Sequence, residues 1–209
     1  RVEGMLGEVA KAVQISTIHS FCVLLLREDI LEVGYPRNFT ILDSDDQKSI
    51  LRDAYKQMQI DVKSYSYNSM LGYISANKTN FVDPVMAKAN AGPWAGEQIK
   101  ADVYAYYEKR LKEMYGLDFD DLLVFAYRIL KDKEEVRAKW QRRFTYIHVD
   151  EFQDVDNLQY AIIRLLVGDH SYLCVVGDPD QTIYTWRGAQ VDICLLYTSP
   201  SPRDSTSSR

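Results

Sequence analysis

The chain has 209 residues, of which 46% are hydrophobic and 26% charged, so it can bury the core of a globular protein. Its net charge of −5 excludes a globally basic surface for nucleic acid, so any such binding needs a local groove and stacking side chains. The apolar runs at 22–26 and 160–167 are far too short to span a bilayer, and no signal-peptide pattern is present. We therefore expect no membrane association.

Three widely separated cysteines, Cys22, Cys174 and Cys194, show no metal-ligand spacing. An odd and sparse set of cysteines is typical of a reducing compartment and predicts a cytoplasmic protein. The sequence lacks an initial methionine and opens within a helical pattern, so we expect a piece of a longer protein.

The first part of the chain predicts one short strand and two helices. Residues 14–16 form a β-type run that is closed by residues 17–20. A helical period covers 21–33 and stops at Gly34. Asp43 and its neighbours are typical of a helix N-cap, and the helix that follows is predicted to reach about residue 59.

Residues 61–116 read as an all-helical segment that is rich in tyrosine and broken by a loop at about 90–96. The tyrosines suit helix packing with their hydroxyls in water, although a protein-interaction surface is the alternative. Asp120 and Asp121 read as capping and packing residues at the start of another helix that runs to about residue 130.

The last third predicts a parallel α/β arrangement. An apolar strand at 146–149 ends in Asp150 and Glu151, a helix covers 157–167, and a second buried strand at 172–176 ends at residues 177–178. Ligands of parallel sheets sit at the carboxyl ends of the strands, which is where both acidic clusters fall.

Asp150 and Glu151 form the first candidate site. Two carboxylates at the end of an apolar strand are costly to desolvate unless a cation or water receives them. Mg²⁺ on nucleotide phosphates prefers one or two carboxylates plus waters, and a neighbouring carboxylate can polarise an attacking water. Taken alone, the pair could equally be an acidic junction that caps the next helix.

The segment 177–189 is the second candidate site, with Gln181, Tyr184, Trp186 and Arg187 close together. An amide can sense a γ-phosphate, and aromatic faces can stack on unpaired bases. This combination indicates a segment between a nucleotide and a single strand, although Tyr184 and Trp186 could also pack under the sheet.

Three motifs occur in the order and spacing of superfamily 1 helicases, namely residues 17–21, 150–154 and 177–189. They resemble motif Ib, motif II (Walker B) and motif III of that superfamily, and the similarity covers residues 1–193. Residues 181–187 look closer to the UvrD/Rep/PcrA type than to helicase–nuclease relatives, which often carry phenylalanine where Trp186 stands.

The resemblance assigns a role to each candidate residue on the nucleotide side. Asp150 would hold Mg²⁺, and Glu151, beside it, would orient or deprotonate the hydrolytic water of ATP. Gln181 would contact the γ-phosphate, and Arg187 would help couple the ATP site to the DNA site.

The same resemblance implies contacts with DNA. Tyr184 and Trp186 would stack on single-stranded DNA, while Thr17, His19 and Ser20 would approach its backbone or bases. For His19, a hydrogen-bonded structural histidine is the competing interpretation. Lys78 could touch a DNA phosphate, but we expect it to be a solvated lysine.

The implied fold class is α/β, a partial RecA-like (P-loop NTPase) parallel-sheet domain with an inserted all-α subdomain. Residues 1–33 and 117–194 would belong to the RecA-like domain and residues 34–116 to the insert. Residues 195–209 offer almost nothing to bury and are expected to be a disordered, non-native tail.

The parent protein would be an ATP-dependent helicase that moves on single-stranded DNA and opens duplexes, in DNA repair or replication restart. Its partners would be single-stranded DNA and single-strand/duplex junctions, with repair proteins as candidates. No Gly-x-x-x-x-Gly-Lys-Ser/Thr loop occurs in the sequence, so we expect the chain alone to be inactive. The alternatives are part of a recombination helicase–nuclease and a non-catalytic module that binds single-stranded DNA.

Overall fold

A computed structural model describes residues 13–178, which form a mixed α/β structure that is mostly helical. The helices and strands follow one another as α1 Ile18–Asp29, β1 Thr40–Ile41, α2 Ser44–Met58, α3 Tyr67–Thr79, α4 Pro84–Asn90, α5 Ala95–Glu113, β2 Gly116–Leu117, α6 Phe119–Asp132, α7 Glu134–Arg143, β3 Tyr146–Val149, α8 Asn157–Leu166 and β4 Tyr172–Val175. Short 3-10 turns cover Ile30–Val33 and Phe152–Asp154.

Within the described range, the chain divides into two compact units. The first consists of residues up to 75 together with 83–122, and the second of residues 76–82 together with those from 123 onward. The division falls within α3 and α6. The helical character predicted for 61–116 is confirmed by α3, α4 and α5, while the assignment of 34–116 to an inserted subdomain stays a prediction.

The first unit combines helices with a short parallel strand pair. β1 and β2 pair with Thr40 opposite Gly116, and the main-chain N–H of Leu42 extends the ladder by donating to Leu117 at 2.9 Å. The core of this unit is built from fully buried side chains, among them Leu25, Leu26, Leu51, Tyr107 and Leu111. Packing is confirmed for Tyr107, but the expectation that its hydroxyl lies in water is wrong, because the buried hydroxyl donates to Asp118 Oδ2 at 2.9 Å.

Local capping explains where several helices begin and end. The Asp43 side chain accepts hydrogen bonds from the backbone N–H groups of Asp45 and Asp46, and Asp46 bonds back to Asp43, as predicted for the start of α2. Hydrogen bonds from the N–H groups of Asp46 and Asp45 hold the pKa of Asp43 below its usual range. Gly34 ends the first 3-10 turn at a φ of +77°, a value that favours glycine.

Two expectations about strands are wrong. Residues 14–16 form no strand, because Thr17 is the N-cap of α1 and its side chain turns the backbone directly into the helix. Strands β3 and β4 are not buried throughout, since Tyr146 is 67% exposed and Tyr172 is 66% exposed. Side chains alternate between the two faces, so the tyrosines stack on an open face while half-buried aliphatic side chains occupy the other.

The second unit is organised by β3 and β4, which pair in parallel from Tyr146–Tyr172 to Val149–Val175. Between them runs α8, which begins at the cap Asp156 and buries Ile162 and Leu166. The fully buried Trp140 of α7 stacks on Phe144 with ring centroids 6.2 Å apart. Strand, helix and parallel strand are confirmed in the predicted order. No helix of residues 13–178 is both long enough and apolar enough to cross a membrane.

The two cysteines of the described range differ in exposure, which makes a direct test of this fold. Cys22 lies fully buried on α1, and burial raises the pKa of its thiol to about 12, whereas Cys174 on β4 is exposed. Because the thiolate is the reactive form, we expect a thiol reagent at pH 8 to label Cys174 in seconds to minutes and to leave Cys22 untouched. Mass spectrometry of a Cys194→Ser variant would measure this.

In that experiment the control is the same variant in denaturant, where both thiols must react. Rapid labelling of Cys22 under native conditions would contradict the buried position of α1.

Candidate functional site

The carboxyl ends of β3 and β4 meet at one edge because the two strands are parallel and in register. Asp150 and Glu151 follow β3, while Gly177 and Asp178 follow β4 after Val176. The backbone of the two connections is also joined, since Phe152 N–H donates to the Val176 carbonyl at 2.9 Å. The structure therefore brings together the described parts of both acidic clusters, as the sequence predicts.

Glu151 adopts an unusual backbone conformation, with a φ of 52° and a ψ of 42° in the left-handed region. For a residue with a side chain this conformation costs on the order of 1–3 kcal/mol and occurs preferentially at functional sites. Asp150 Oδ1 accepts a hydrogen bond from the Glu151 N–H at 3.0 Å. The strained turn thus sets two carboxylates side by side at the strand end.

Both carboxylates are exposed, so the expected cost of desolvating them does not arise in this structure. The alternative that this pair caps the following helix is contradicted, because Asp156 is the N-cap of α8 and accepts from Gln159 N–H at 2.9 Å. Neither Asp150 nor Glu151 is needed to start that helix, which leaves their exposed oxygens available to a ligand.

The donor chemistry at this edge suits Mg²⁺, which prefers carboxylate oxygens and waters. Within residues 13–178 there is no group of three or more acidic, histidine or cysteine side chains arranged to hold a metal. Mg²⁺ on a nucleotide needs only one or two protein carboxylates, and Asp150 and Glu151 match that smaller requirement. Asp154 Oδ1, three residues after Glu151 in the chain, is a buried carboxylate oxygen to which none of the described groups donates a hydrogen bond.

Gln153 lies in the candidate site, and the sequence interpretation assigned no role to it. Its side chain is only 2% exposed; Nε2 donates to Glu151 Oε2 at 2.6 Å and Oε1 accepts from the Asp178 N–H at 3.0 Å. It therefore links the two strand-end connections. The signal available in the sequence was an amide directly after the apolar Phe152, but its partner Asp178 lies 25 residues away in sequence.

The described residues that were predicted to contact DNA are Thr17, His19 and Ser20. They lie in the first unit, at the N-terminus of α1. Thr17 Oγ1 accepts from the Ser20 N–H at 3.2 Å and also bonds to Ser20 Oγ, so both hydroxyls serve the cap. His19 is half-buried with its ring edge-on to Phe119, 5.7 Å between centroids. Thr17 and Ser20 remain exposed at a helix N-terminus, a position that favours phosphate.

Other predicted residues have mixed outcomes. Lys78 is only 5% exposed, so the expectation of a solvated lysine is wrong. Asp121 exchanges side-chain-to-backbone hydrogen bonds with Asp118 at the start of α6, which confirms its capping role. The remaining predicted contacts lie outside the described residues, namely Gln181, Tyr184, Trp186 and Arg187.

Parallel strands with carboxylates at their carboxyl ends define a class of α/β protein that binds ligands at that edge. Residues 1–201 match the UvrD/REP helicase N-terminal domain, and the chain belongs to this family. The resemblance drawn from the motifs is thereby confirmed. The match also extends past residue 194 into the segment 195–209, whose non-native origin stays a prediction.

Curated relatives agree with the family assignment. The chain is 42% identical over 205 residues to the ATP-dependent DNA helicase PcrA of Bacillus subtilis, and 39% identical over 206 residues to PcrA of Staphylococcus aureus. PcrA of Staphylococcus epidermidis is also 39% identical over 206 residues. These alignments cover 98–99% of this chain but only 28% of each relative, so the chain spans about a quarter of their length.

Gly177 offers a test of the link between the two strand ends. A Cβ at this position would lie 2.7 Å from Gln153 Oε1 and 3.2 Å from the backbone nitrogens of both Gln153 and Phe152. Because Gln153 is buried and bonded at both ends of its amide, we expect Gly177→Ala to lower the free energy of unfolding by about 1–3 kcal/mol. Urea unfolding of the 209-residue chain would measure the change.

The matched control is Gly72→Ala, because a Cβ at Gly72 meets nothing within 4 Å on the exposed side of α3. Removing a helical glycine there should stabilise the chain by about 0.5–1 kcal/mol. Equal effects of the two alanines would show that residues 153 and 177 are not in close contact.

Proposed function

We propose that the chain is part of an ATP-dependent DNA helicase that couples ATP hydrolysis to movement on single-stranded DNA and to duplex unwinding. The observation that carries the proposal is the pair of exposed carboxylates, Asp150 and Glu151, at the end of a parallel strand in a member of the UvrD/REP family. We further propose that the strands belong to a RecA-like domain and that residues 34–116 form its all-α insert.

In this proposal Asp150 and Glu151 would hold Mg²⁺, which when bound supplies charge neutralisation at the phosphates of ATP. Glu151 also orients the attacking water and accepts its proton at the carboxylate. The hydrogen bond from Gln153 occupies Oε2, so Oε1 is the oxygen available for this role. Exposure of both carboxylates gives water and nucleotide access to them.

The remaining roles rest on the family and on the motifs. Gln181 would contact the γ-phosphate and Arg187 would couple the nucleotide site to the DNA site. Tyr184 and Trp186 would stack on single-stranded DNA. Thr17, His19 and Ser20 would approach its backbone, although the edge-on contact with Phe119 also suits a structural role for His19.

The wider setting is also a proposal. Single-stranded DNA and junctions with duplex would be the substrates, repair proteins would be partners, and the pathway would be DNA repair or replication restart in the cytoplasm. The names of the B. subtilis and S. aureus relatives support the class of enzyme, an ATP-dependent DNA helicase.

A hybrid enzyme tests the role of Glu151. The chain would replace the matching segment of the B. subtilis relative, and Glu151→Gln would then be introduced. Because the amide cannot accept the proton from water, we expect the turnover number for DNA-stimulated ATP hydrolysis to fall about 10²- to 10⁴-fold. Binding of a fluorescent ATP analogue should change far less.

The control for that hybrid is Glu135→Gln, an equally exposed glutamate in the first turn of α7. It should leave hydrolysis unchanged. Normal hydrolysis by Glu151→Gln would remove Glu151 from the reaction. An unsubstituted hybrid that folds and binds single-stranded DNA without hydrolysing ATP would favour a non-catalytic binding module.

The 209-residue chain on its own should neither hydrolyse ATP appreciably nor unwind DNA. No phosphate-binding loop of the Walker A type occurs in its sequence. The loop that would bind the phosphates of ATP next to Asp150 and Glu151 is therefore missing from these 209 residues. Phosphate release with and without single-stranded DNA, and strand displacement from a tailed duplex, would measure this. Hydrolysis by the chain that disappears in Glu151→Gln would contradict the prediction.

A further inference from the structure

The side chain of Gln153 spans the gap between the two strand-end connections of the second unit. It lies in the 3-10 turn Phe152–Asp154 after β3, and is bonded to Glu151 on one side and to Asp178, after β4, on the other. With 2% of its surface exposed, it is held in the protein interior at both ends of its amide.

The chemistry of the two partners fixes the orientation of this amide. The Glu151 carboxylate only accepts hydrogen bonds when ionised, and the Asp178 main-chain N–H only donates one. Nε2 must therefore face Glu151 and Oε1 must face Asp178, which is the arrangement observed. Glutamate at this position would satisfy only Asp178, and methionine, of similar size, would satisfy neither.

Gly177 keeps the link short. Any Cβ there would fall 2.7 Å from Gln153 Oε1, so the bare backbone lets the segment after β4 approach the amide. The Val176 carbonyl accepts from the Phe152 N–H at 2.9 Å, and this backbone bond also joins the two connections. The link is thus built from a side chain and from the backbone on both sides.

We propose that Gln153 is a positioning residue that ties the orientation of the Glu151 carboxylate to residues 177–178, which follow β4. The inference rests on the proposed function, because it assigns Gln153 to the same hydrolytic site. A displacement of residues 177–178 would shift Gln153 Oε1, which accepts from the Asp178 N–H. Because Oε1 and Nε2 belong to one rigid amide, Nε2, the donor to Glu151, would shift with it. Gln153 itself need not touch nucleotide.

The link can be tested without any enzymatic activity. Amide hydrogen exchange of Asp178 would be followed by NMR in the 209-residue chain and in its Gln153→Met and Gln153→Glu variants. Loss of the acceptor in Gln153→Met should speed the exchange roughly 2- to 10-fold, while Gln153→Glu, which keeps an acceptor oxygen, should stay close to the original rate. Gln159→Met, six residues along in α8, is the control and should leave the rate unchanged.

A second experiment tests the positioning role of Gln153 in the hybrid helicase. Gln153→Glu exchanges the donor toward Glu151 for another oxygen, so we expect kcat to fall by up to about 100-fold while KM for ATP changes little. In the Glu151→Gln background the same change should have no further effect on kcat, because Gln153 would act through Glu151. A purely structural residue would instead leave the effects of the two substitutions on kcat additive.

Each outcome decides the matter. Unchanged Asp178 exchange in Gln153→Met would overturn the link itself, and an unchanged kcat in Gln153→Glu would overturn the positioning role. If the unsubstituted hybrid failed to hydrolyse ATP, the proposed function would fall and with it the role at a hydrolytic site. The exchange rates would still show whether Gln153 joins the two connections.

Discussion

The parallel, in-register pairing of β3 with β4 is the constraint on which the candidate site depends. Val149 stands opposite Val175, so the residues that follow both strands leave the sheet at one edge. A slip of one residue would exchange the two faces of one strand and move its acidic end along the sheet. The same register places Tyr146 opposite Tyr172 on the open face, where the two rings stack with centroids 5.4 Å apart. The position of Glu151 therefore depends on the backbone ladder.

Elements marked by local chemistry could be predicted from the sequence, and those that depend on distant partners could not. Asp43 and Gly34 act within a few residues, which is why the ends of their helices were predictable. Residues 14–16 have β propensity, but a strand also requires a partner ladder, and Thr17 caps a helix there instead. The burial of β4 was overestimated because its tyrosine and cysteine alternate with leucine and valine, a pattern of a half-open strand.

The same distinction between local signals and distant partners applies to the candidate site. Position at the end of an apolar strand was enough to single out Asp150 and Glu151, and the family match supports the enzyme class. The link through Gln153 could not be predicted, because its Asp178 contact joins residues far apart in sequence through the pairing of two strands. The alternative of helix capping was equally plausible from sequence, and only the cap at Asp156 decides against it.

The energies at Glu151 explain why a single amide can matter there. The left-handed backbone at this residue costs on the order of 1–3 kcal/mol. A hydrogen bond to a charged group contributes about 1.5–3 kcal/mol, and the Gln153 donor at 2.6 Å is of this kind. The two magnitudes are similar, so the hydrogen bond from Gln153 can offset the backbone strain at Glu151. Because the same amide also accepts a hydrogen bond from the Asp178 N–H, the position of residues 177–178 affects the strength of the bond from Gln153 to Glu151.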